Sequence, residues 1–266
     1  MSDQPPAEVL TAFGLSADVR RLTGGKGGTW QSGDTVLKPA EGEPETIWRA
    51  DVLSALPPSP DFRIARPLRA RTSAWVVSGW EATAWVAGTA DPSRPDDVIR
   101  AGEAFHAAIT AVPRPSFLDD RDDPWSYGDR LAFDEPVPPG ATAPSALLEP
   151  LLAARRAITS PSQVVHGDLT GNVLFAPGLP PAVIDWPAYH RPPSWAAAVV
   201  VADALVWHHV DPALIPRWEP HFPEWPQMLI RALIYRISTW PAARWDLPPD
   251  DAYRPTVTRV LDYADR

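Results

Sequence analysis

The chain has 266 residues, of which 45% are hydrophobic and 21% are charged, and its formal net charge is −9. This length is sufficient for one large domain or two small lobes with a substantial core. The acidic balance argues against a nucleic-acid-binding protein, because the affinity of such proteins rests on a basic face. The absence of cysteine excludes disulfides and thiolate metal sites.

The hydropathy of the chain predicts neither a secretory signal nor a membrane-spanning segment. The first ten residues, MSDQPPAEVL, lack the basic region and apolar run of a secretory signal. The longest apolar stretch, residues 195–207, is too short to cross a bilayer and contains Asp203. The sequence therefore predicts a cytoplasmic protein with no membrane partner.

The first third of the chain has the pattern of a β-rich lobe with one helix. A short strand is predicted at 34–37, after a glycine-rich turn, and a helix at 44–56, where Pro44 suits the first turn. Further strands are predicted at 62–71 and 74–78. The next segment, residues 80–86, reads as either another strand or a connector.

The rest of the chain has mainly helical patterns. Helices are predicted at 96–112, 146–158, 195–209 and 226–240. The only β-like section predicted in this half is 173–184. The sequence thus predicts an α+β protein with two lobes: a β-rich N-lobe at 1–82 and a mainly helical C-lobe at 83–266.

The β-like section has the pattern of a hairpin. Two apolar runs, 173–175 and 182–184, flank the turn-forming sequence APGLPP. An antiparallel hairpin brings Asn172, just before the first strand, next to Asp185, just after the second. Asp168 lies four residues upstream, on the loop leading to the same end. We therefore expect two carboxylates and a carboxamide around one point.

These residue types suit phosphoryl transfer assisted by Mg²⁺, which binds carboxylate and amide oxygens together with substrate phosphates. In the protein-kinase scheme, one aspartate accepts the proton of the attacking hydroxyl, while an asparagine and a later aspartate hold the metal. A surface hairpin with polar turn residues is the alternative. It explains each residue singly but not their joint spacing.

The motif HGDLTGN at 166–172, followed by VIDW at 183–186, resembles the aminoglycoside phosphotransferase family. These proteins are relatives of the protein kinases and have HGD in place of HRD. The similarity extends to Ala-Phe-His at 104–106, where relatives carry a leucine-histidine pair that ends a helix. The resemblance implies the two-lobed protein-kinase-like fold.

The resemblance also implies roles for individual residues. Asp168 would be the catalytic base, Asn172 and Asp185 the magnesium ligands, and His166 a structural member of the loop. One departure concerns the following helix, where relatives carry a second structural aspartate near its start. Here Trp195 occupies that region, so the hydrogen bonding around the loop must differ.

A second glycine-rich segment, LTGGKGGTW at 22–30, points to a nucleotide-binding site. Glycines allow the backbone to approach phosphates closely. The 24 basic residues of the chain include only two lysines, Lys26 and Lys38. Arginine cannot replace lysine where a compact ammonium must fit against phosphate oxygens. A glycine-rich hairpin turn is the alternative, but both lysines fall at the expected phosphate site. The phosphate-binding candidates are Gly24, Gly25, Lys26, Gly27, Gly28 and Lys38.

Two further expectations complete the nucleotide site. Lys38 is expected to contact the α- and β-phosphates and to pair with Glu45, with Glu41 and Glu43 as alternatives. The adenine is expected against a linker between the lobes at 78–82. The linker residues assigned to cofactor binding are Gly79, Trp80, Glu81 and Ala82. Core packing of Trp80 is an equally good interpretation.

The sequence thus predicts an Mg²⁺- and ATP- or GTP-dependent phosphotransferase acting on a hydroxyl of a small molecule, either a metabolite or an aminoglycoside-like antibiotic. A protein kinase is less well supported, because no long activation segment and no Ala-Pro-Glu follow Asp185. A nucleotide-binding pseudokinase with a regulatory role is the alternative from another class. Retention of Lys38, Asp168 and Asn172 favours the enzyme. The acceptor, the choice of ATP or GTP and the oligomeric state stay open.

Overall fold

The computed structural model describes residues 4–22, 28–139, 145–242 and 250–266. The chain divides into two compact units. The first comprises residues 1–89 and 173–185, and the second comprises residues 90–172 and 186–266. The division therefore falls at residue 89 rather than at the predicted 82, and the hairpin belongs to the first unit.

The first unit is built on an antiparallel sheet with the strand order β1-β2-β3-β7-β5, in which β6 also pairs with β7. A short strand, Thr89–Ala90 (β8), lies at the boundary of the units. The elements of this unit are α1 (Ala7–Phe13), β1 (Arg20–Arg21), β2 (Trp30–Ser32), β3 (Thr35–Pro39), α2 (Glu43–Ala55), β4 (Arg63–Ile64), β5 (Pro67–Leu68), β6 (Val76–Val77), β7 (Trp80–Ala84), β10 (Val173–Phe175) and β11 (Ala182–Val183).

The core of this sheet lies under β3 and β7. Leu37 and Trp80 pack there with Val9 and Leu10 of α1, a helix that the sequence analysis did not predict. Burial of such side chains is the main force that holds a small sheet together. The packing resolves the two interpretations of Trp80 in favour of the core.

The predicted hairpin is confirmed. Strands β10 and β11 pair antiparallel, with Val173 opposite Val183, and Gly178 has the positive φ of 70° that the turn requires. β11 also pairs in parallel with β4. The hairpin is thereby attached to the β-rich unit, although it interrupts the sequence of the helical one.

The second unit is mainly helical, as predicted. Its elements are α3 (Pro95–Ala108), α4 (Pro124–Ala132), α5 (Leu148–Ala154), β9 (Gln163–His166), β12 (Ala188–Arg191), α6 (Pro193–Trp207), α7 (Leu214–Arg217), α8 (Trp225–Ala242) and α9 (Asp250–Ala264). α6 is buried on almost every side, as expected for an apolar helix in the middle of a core. None of the helices in the described ranges is long and apolar enough to span a membrane.

Five elements that the structure describes in this unit were not predicted: β9, β12, α4, α7 and α9. The pair β9 and β12 is antiparallel, with His166 opposite Ala188, so 173–184 is not the only β-structure after the N-lobe. Helix α4 begins after Asp123, whose side chain caps the helix by accepting a hydrogen bond from Ser126 N. Helix α9 was missed as well.

Helices α4 and α8 approach closely at Gly128. A Cβ at this position would lie 2.4 Å from Thr239 Oγ1 and 2.8 Å from the carbonyl oxygen of Tyr235. Because a backbone carbonyl cannot rotate away, we expect Gly128→Ala to lower the free energy of unfolding by about 1–3 kcal/mol. Urea denaturation measures this. Gly102→Ala is the comparison: its Cβ would meet the flexible end of Leu169, so its loss should be smaller, and equal losses would contradict the argument.

Candidate active site

The HGD motif forms a loop at the end of β9, and its glycine is required by packing. A Cβ on Gly167 would lie 2.2 Å from the ring of Tyr189, which is buried on β12. Gly171 has a φ of 82°, in the left-handed region that favours glycine. Leu169 is buried, and its carbonyl accepts a hydrogen bond from Asn172 N. The local sequence is thus explained by close packing and one tight turn.

Two buried histidines hold the start of this loop. His106 Nε2 accepts a hydrogen bond from the backbone N of His166 at 2.9 Å, and His166 Nδ1 accepts one from the backbone N of Asp168 at 3.1 Å. Burial, with a smaller contribution from His166, lowers the pKa of His106 from 6.5 to about 3. His106 is therefore neutral near pH 7, as an accepting Nε2 requires.

This depressed pKa predicts an acid-labile fold. Between about pH 3 and 6.5, His106 binds a proton in the unfolded chain but not in the folded one. The free energy of unfolding therefore decreases as pH falls below about 6.5. The slope from one such proton is about 1.4 kcal/mol per pH unit. We expect His106→Gln to remove that part of the slope in urea titrations between about pH 4 and 6. The exposed His208→Gln is the control, and an unchanged slope in His106→Gln would contradict the prediction.

The carboxylate of Asp168 is accessible and oriented by an arginine. Its side chain is 41% exposed. Its Oδ1 accepts a hydrogen bond at 2.6 Å from Arg236 Nη2, on α8. Arg236 in turn binds Asp203 of α6 with two hydrogen bonds, Nε to Oδ1 at 2.9 Å and Nη2 to Oδ2 at 2.6 Å. Neither Arg236 nor Asp203 was predicted as a site residue from the sequence, because both lie within long helical patterns.

The side chain of Asn172 is held to the HGD loop by a hydrogen bond. Its Nδ2 donates to the carbonyl oxygen of Asp168 at 2.8 Å, which leaves Oδ1 as the oxygen for a cation. Carboxamide and carboxylate oxygens, which Asn172 and Asp185 carry, are of the kind that Mg²⁺ binds. Within the described ranges, no group of three or more His, Asp or Glu side chains forms a metal cluster. The assignment of Asn172 and Asp185 as magnesium ligands stays a prediction.

In the first unit, Lys38 lies between two carboxylates. The register of β3 and β7 places it opposite Glu81, with Nζ 3.6 Å from Oε1, and it forms a shorter ion pair with Asp185. Glu81 is buried and also accepts from Arg49 of α2 at 2.6 Å. The pairing of Lys38 with Glu45 stays a prediction.

The charge on Arg49 is maintained by its carboxylate neighbours. Burial alone would lower the pKa of Arg49, but Glu81, and more weakly Glu45 and Asp185, raise it above its ordinary value. Glu45, in the first turn of α2, thus contributes to this group of charges even though its predicted role as partner of Lys38 is untested. Two cations and three carboxylates converge beside the end of β3.

Asp185 has an unusual backbone conformation. Its φ is +49°, in the left-handed region that residues other than glycine seldom adopt. Such conformations cost free energy and tend to occur at functional sites. The side chain is 56% exposed and forms the ion pair with Lys38. A two-residue step separates Asp185 from Val183, the residue that pairs with Val173.

Residues 78–82 do not form the predicted linker between the lobes. Ser78 and Gly79 form the tight turn between β6 and β7, with φ values of 49° and 76°, and residues 80–82 begin β7. Trp80 and Ala82 are buried, while Glu81 pairs with Lys38. The chain first passes from one unit to the other after Thr89. β-branched and aromatic residues at 80–84 were compatible with either interpretation.

Most of the predicted glycine-rich phosphate loop lies outside the described residues. Gly24, Gly25, Lys26 and Gly27 belong to this part. Gly28 is described, and a Cβ there would come within 3.4 Å of Pro39 Cδ, an ordinary contact. The phosphate-binding role of this segment stays a prediction.

No protein-family model matches the chain, and a sequence search of curated proteins found no significant match. Solved structures do match over nearly the whole length. A microcompartment-associated aminopropanol kinase has a TM-score of 0.65 at 16% identity, over 97% of this chain and 93% of that one. An aminoglycoside phosphotransferase from Alicyclobacillus acidocaldarius has a TM-score of 0.57 at 16% identity, over 100% of this chain and 96% of that one. LicA in complex with AMP has a TM-score of 0.54 at 14% identity, over 96% of each chain. The predicted protein-kinase-like α+β fold is thereby confirmed.

Proposed function

We propose that this chain, which has the fold of kinases acting on small molecules, is a magnesium-dependent phosphotransferase that moves the γ-phosphate of ATP or GTP to a hydroxyl of a small molecule. The observation that carries the proposal is the half-exposed Asp168 carboxylate, held on a packed loop with Asn172 four residues later. An aspartate followed closely by a metal-binding asparagine is the order of the kinase catalytic loop, where the asparagine comes one residue later than it does here. The proposal includes cytoplasmic activity and membership of the aminoglycoside phosphotransferase family.

The chemistry assigns the proton to Asp168. The acceptor oxygen forms a bond to the γ-phosphorus, while the bond from that phosphorus to the bridging oxygen breaks and the nucleoside diphosphate leaves with the electron pair. The hydroxyl proton passes to Asp168, whose Oδ1 is engaged by Arg236 and whose Oδ2 has only a 3.5 Å contact with Asn172 Nδ2. Oδ2 is therefore the oxygen that would accept the proton.

Two residues would hold the metal and one the phosphates. Asn172 and Asp185 would supply oxygen ligands for Mg²⁺, which would neutralise phosphate charge there. Lys38 would bind the α- and β-phosphates. Its ion pairs with Glu81 and Asp185 fix its ammonium at the end of β3 before any nucleotide arrives. Such preorganisation reduces the cost of ordering the group on binding.

The fold also suggests a new position for the base of the nucleotide. Because residues 80–82 lie in an inner strand, we assign the adenine to the segment that follows β7, at 85–87. Trp85 is 38% exposed there. Its backbone N donates to Asp34 O, and Ala87 O accepts from Arg63. A structural neighbour bound to AMP supports nucleotide use by this fold.

The test is an acceptor screen with radiolabelled ATP and GTP against amino alcohols, sugars and aminoglycosides. We expect Mg²⁺-dependent transfer of label to at least one hydroxyl compound. The neighbours named as aminopropanol kinase and aminoglycoside phosphotransferase make amino alcohols and aminoglycosides the first acceptors to try. Nucleotide binding without transfer to any acceptor would favour the pseudokinase alternative.

A further inference from the structure

Asp168 does not stand alone on its loop, because two helices converge on it through Arg236. This arginine, on α8, has a side chain that is 13% exposed and touches Asp168 with one nitrogen, Nη2. Asp203, on α6, has a side chain that is 6% exposed and is bound through both Nε and Nη2 of the same guanidinium. Arg236 thus links the buried carboxylate of Asp203 to the accessible carboxylate of Asp168.

We propose that Arg236 and Asp203 are positioning residues for the base: Arg236 orients Asp168, and Asp203 holds the guanidinium of Arg236 in place through two hydrogen bonds. The inference rests on the proposed function, in which Asp168 accepts the proton. It adds two residues to the site that belong to neither the HGD motif nor the hairpin.

The ion pairs explain why two residues are needed. Arg236 forms a bidentate pair with Asp203, which is a strong, planar arrangement. Burial raises the pKa of the Asp203 carboxyl, and the neighbouring Arg236 opposes that shift. Burial works against a charged Arg236, but Asp203 and Asp168 raise its pKa well above the ordinary value.

The geometry explains the orienting role. Asp168 follows a glycine and is 41% exposed, so packing by itself does not restrict its carboxylate. Arg236 binds Oδ1, and Oδ2 takes no part in that hydrogen bond. A carboxylate held within a few tenths of an ångström of its working position reacts much faster than a rotating one.

This arrangement also accounts for the departure at Trp195. That residue is fully buried among aromatic rings, with Tyr235 and Tyr189 at centroid distances of 5.2 and 5.4 Å. It cannot bind the loop as an aspartate would. The carboxylate of α6 instead comes from Asp203, two turns later, and reaches the loop through Arg236.

The test is a set of variants assayed with the best acceptor of the wild type. We expect Arg236→Met to lower kcat by about 10- to 100-fold with the KM values of nucleotide and acceptor unchanged. Asp203→Asn should also lower kcat, because Arg236 then has Asp168 as its remaining anionic partner in the trio. Arg236→Lys should restore part of the rate, since it keeps the charge but not the fork.

A double mutant separates positioning from support of the fold. If Arg236 acts through Asp168, then Arg236→Met should have no further effect on kcat in an Asp168→Asn background. Arg191→Met is the matched control, because Arg191 forms a bidentate pair with Asp129, with both distances 2.8 Å, outside the catalytic loop. Arg191→Met should lower the free energy of unfolding. Its kcat, measured well below the unfolding temperature, should equal that of the wild type. Additive losses in the double mutant, or an unchanged kcat in Arg236→Met, overturn the inference and leave the proposed function intact.

A spectroscopic measurement makes the inference independent of turnover. A guanidinium held by two carboxylates rotates slowly, so its Nη protons should give separate NMR signals in the wild type. We expect Asp168→Asn and Asp203→Asn each to shift or merge the Arg236 signals. If the wild type transfers phosphate to no acceptor, the proposed function fails. If the NMR signals of Arg236 are the same in the wild type and in both variants, the positioning inference fails, whatever the phosphate-transfer assay shows.

Discussion

Replacement of Asp168 by alanine is expected to lower kcat by about 10²–10⁴-fold while Mg²⁺-nucleotide binding stays nearly intact. The reason is that Asp168 touches no phosphate in the proposed chemistry and acts only on the acceptor proton. Steady-state kinetics with the best acceptor gives kcat, and calorimetric titration with a non-hydrolysable nucleotide gives the affinity.

The matched control for Asp168 is Asp120→Ala, which removes a carboxylate from an exposed position of the same unit. It should leave both kcat and nucleotide affinity unchanged. A loss of nucleotide affinity in Asp168→Ala with little change in kcat would show that the base has been assigned to the wrong residue. The comparison also guards against general effects of charge, because both variants change the net charge by one.

Replacement of Lys38 by methionine should weaken nucleotide binding by about 10- to 100-fold. The estimate is that of one or two lost charge-assisted hydrogen bonds, about 1.5–3 kcal/mol, converted to an equilibrium constant. The variant also leaves the buried Glu81 with Arg49 as its cation, so the fold around β7 should persist. Calorimetric titration with ATP and GTP measures the loss.

The charge-conserving variant Lys38→Arg sharpens this prediction. A guanidinium is larger and planar, and cannot replace a compact ammonium against phosphate oxygens. We therefore expect Lys38→Arg to weaken binding as well, whereas Arg20→Met, at an exposed position on β1, should not. Unchanged affinity in Lys38→Met would remove the argument that this residue binds phosphate.

The hairpin and the HGD loop of the candidate site could be predicted from the sequence because each is formed by residues adjacent in the chain. The hairpin needs only two apolar runs and a turn built from proline and glycine, so its register follows from neighbours in the chain. The HGD loop is likewise local: Gly167 and Gly171 are explained by one close contact and one positive φ. Helix α2 begins at Glu43, one residue before the predicted start, because Pro44 suits the first turn.

The errors concern interactions between distant segments. β9 and β12 pair across more than twenty residues, and neither strand is long enough to show a clear alternation. The segment at 80–82 was assigned to a linker because its composition does not reveal that β3, β5 and β6 pair with the strand it begins. Pairing of strands is a tertiary property, so a single segment cannot show which partners it has.

The sequence by itself determined the fold class and the hairpin, and it predicted the chemistry of the candidate site: a base on the HGD loop, two oxygen ligands near the hairpin, and a lysine retained where arginine prevails. Only the tertiary structure decided what surrounds them. It placed Glu81 opposite Lys38 through strand register and brought Arg236 and Asp203 from two helices to Asp168. Local motifs are encoded by adjacent residues, whereas partners separated by tens of residues become neighbours only when the apolar faces of their helices and strands pack together.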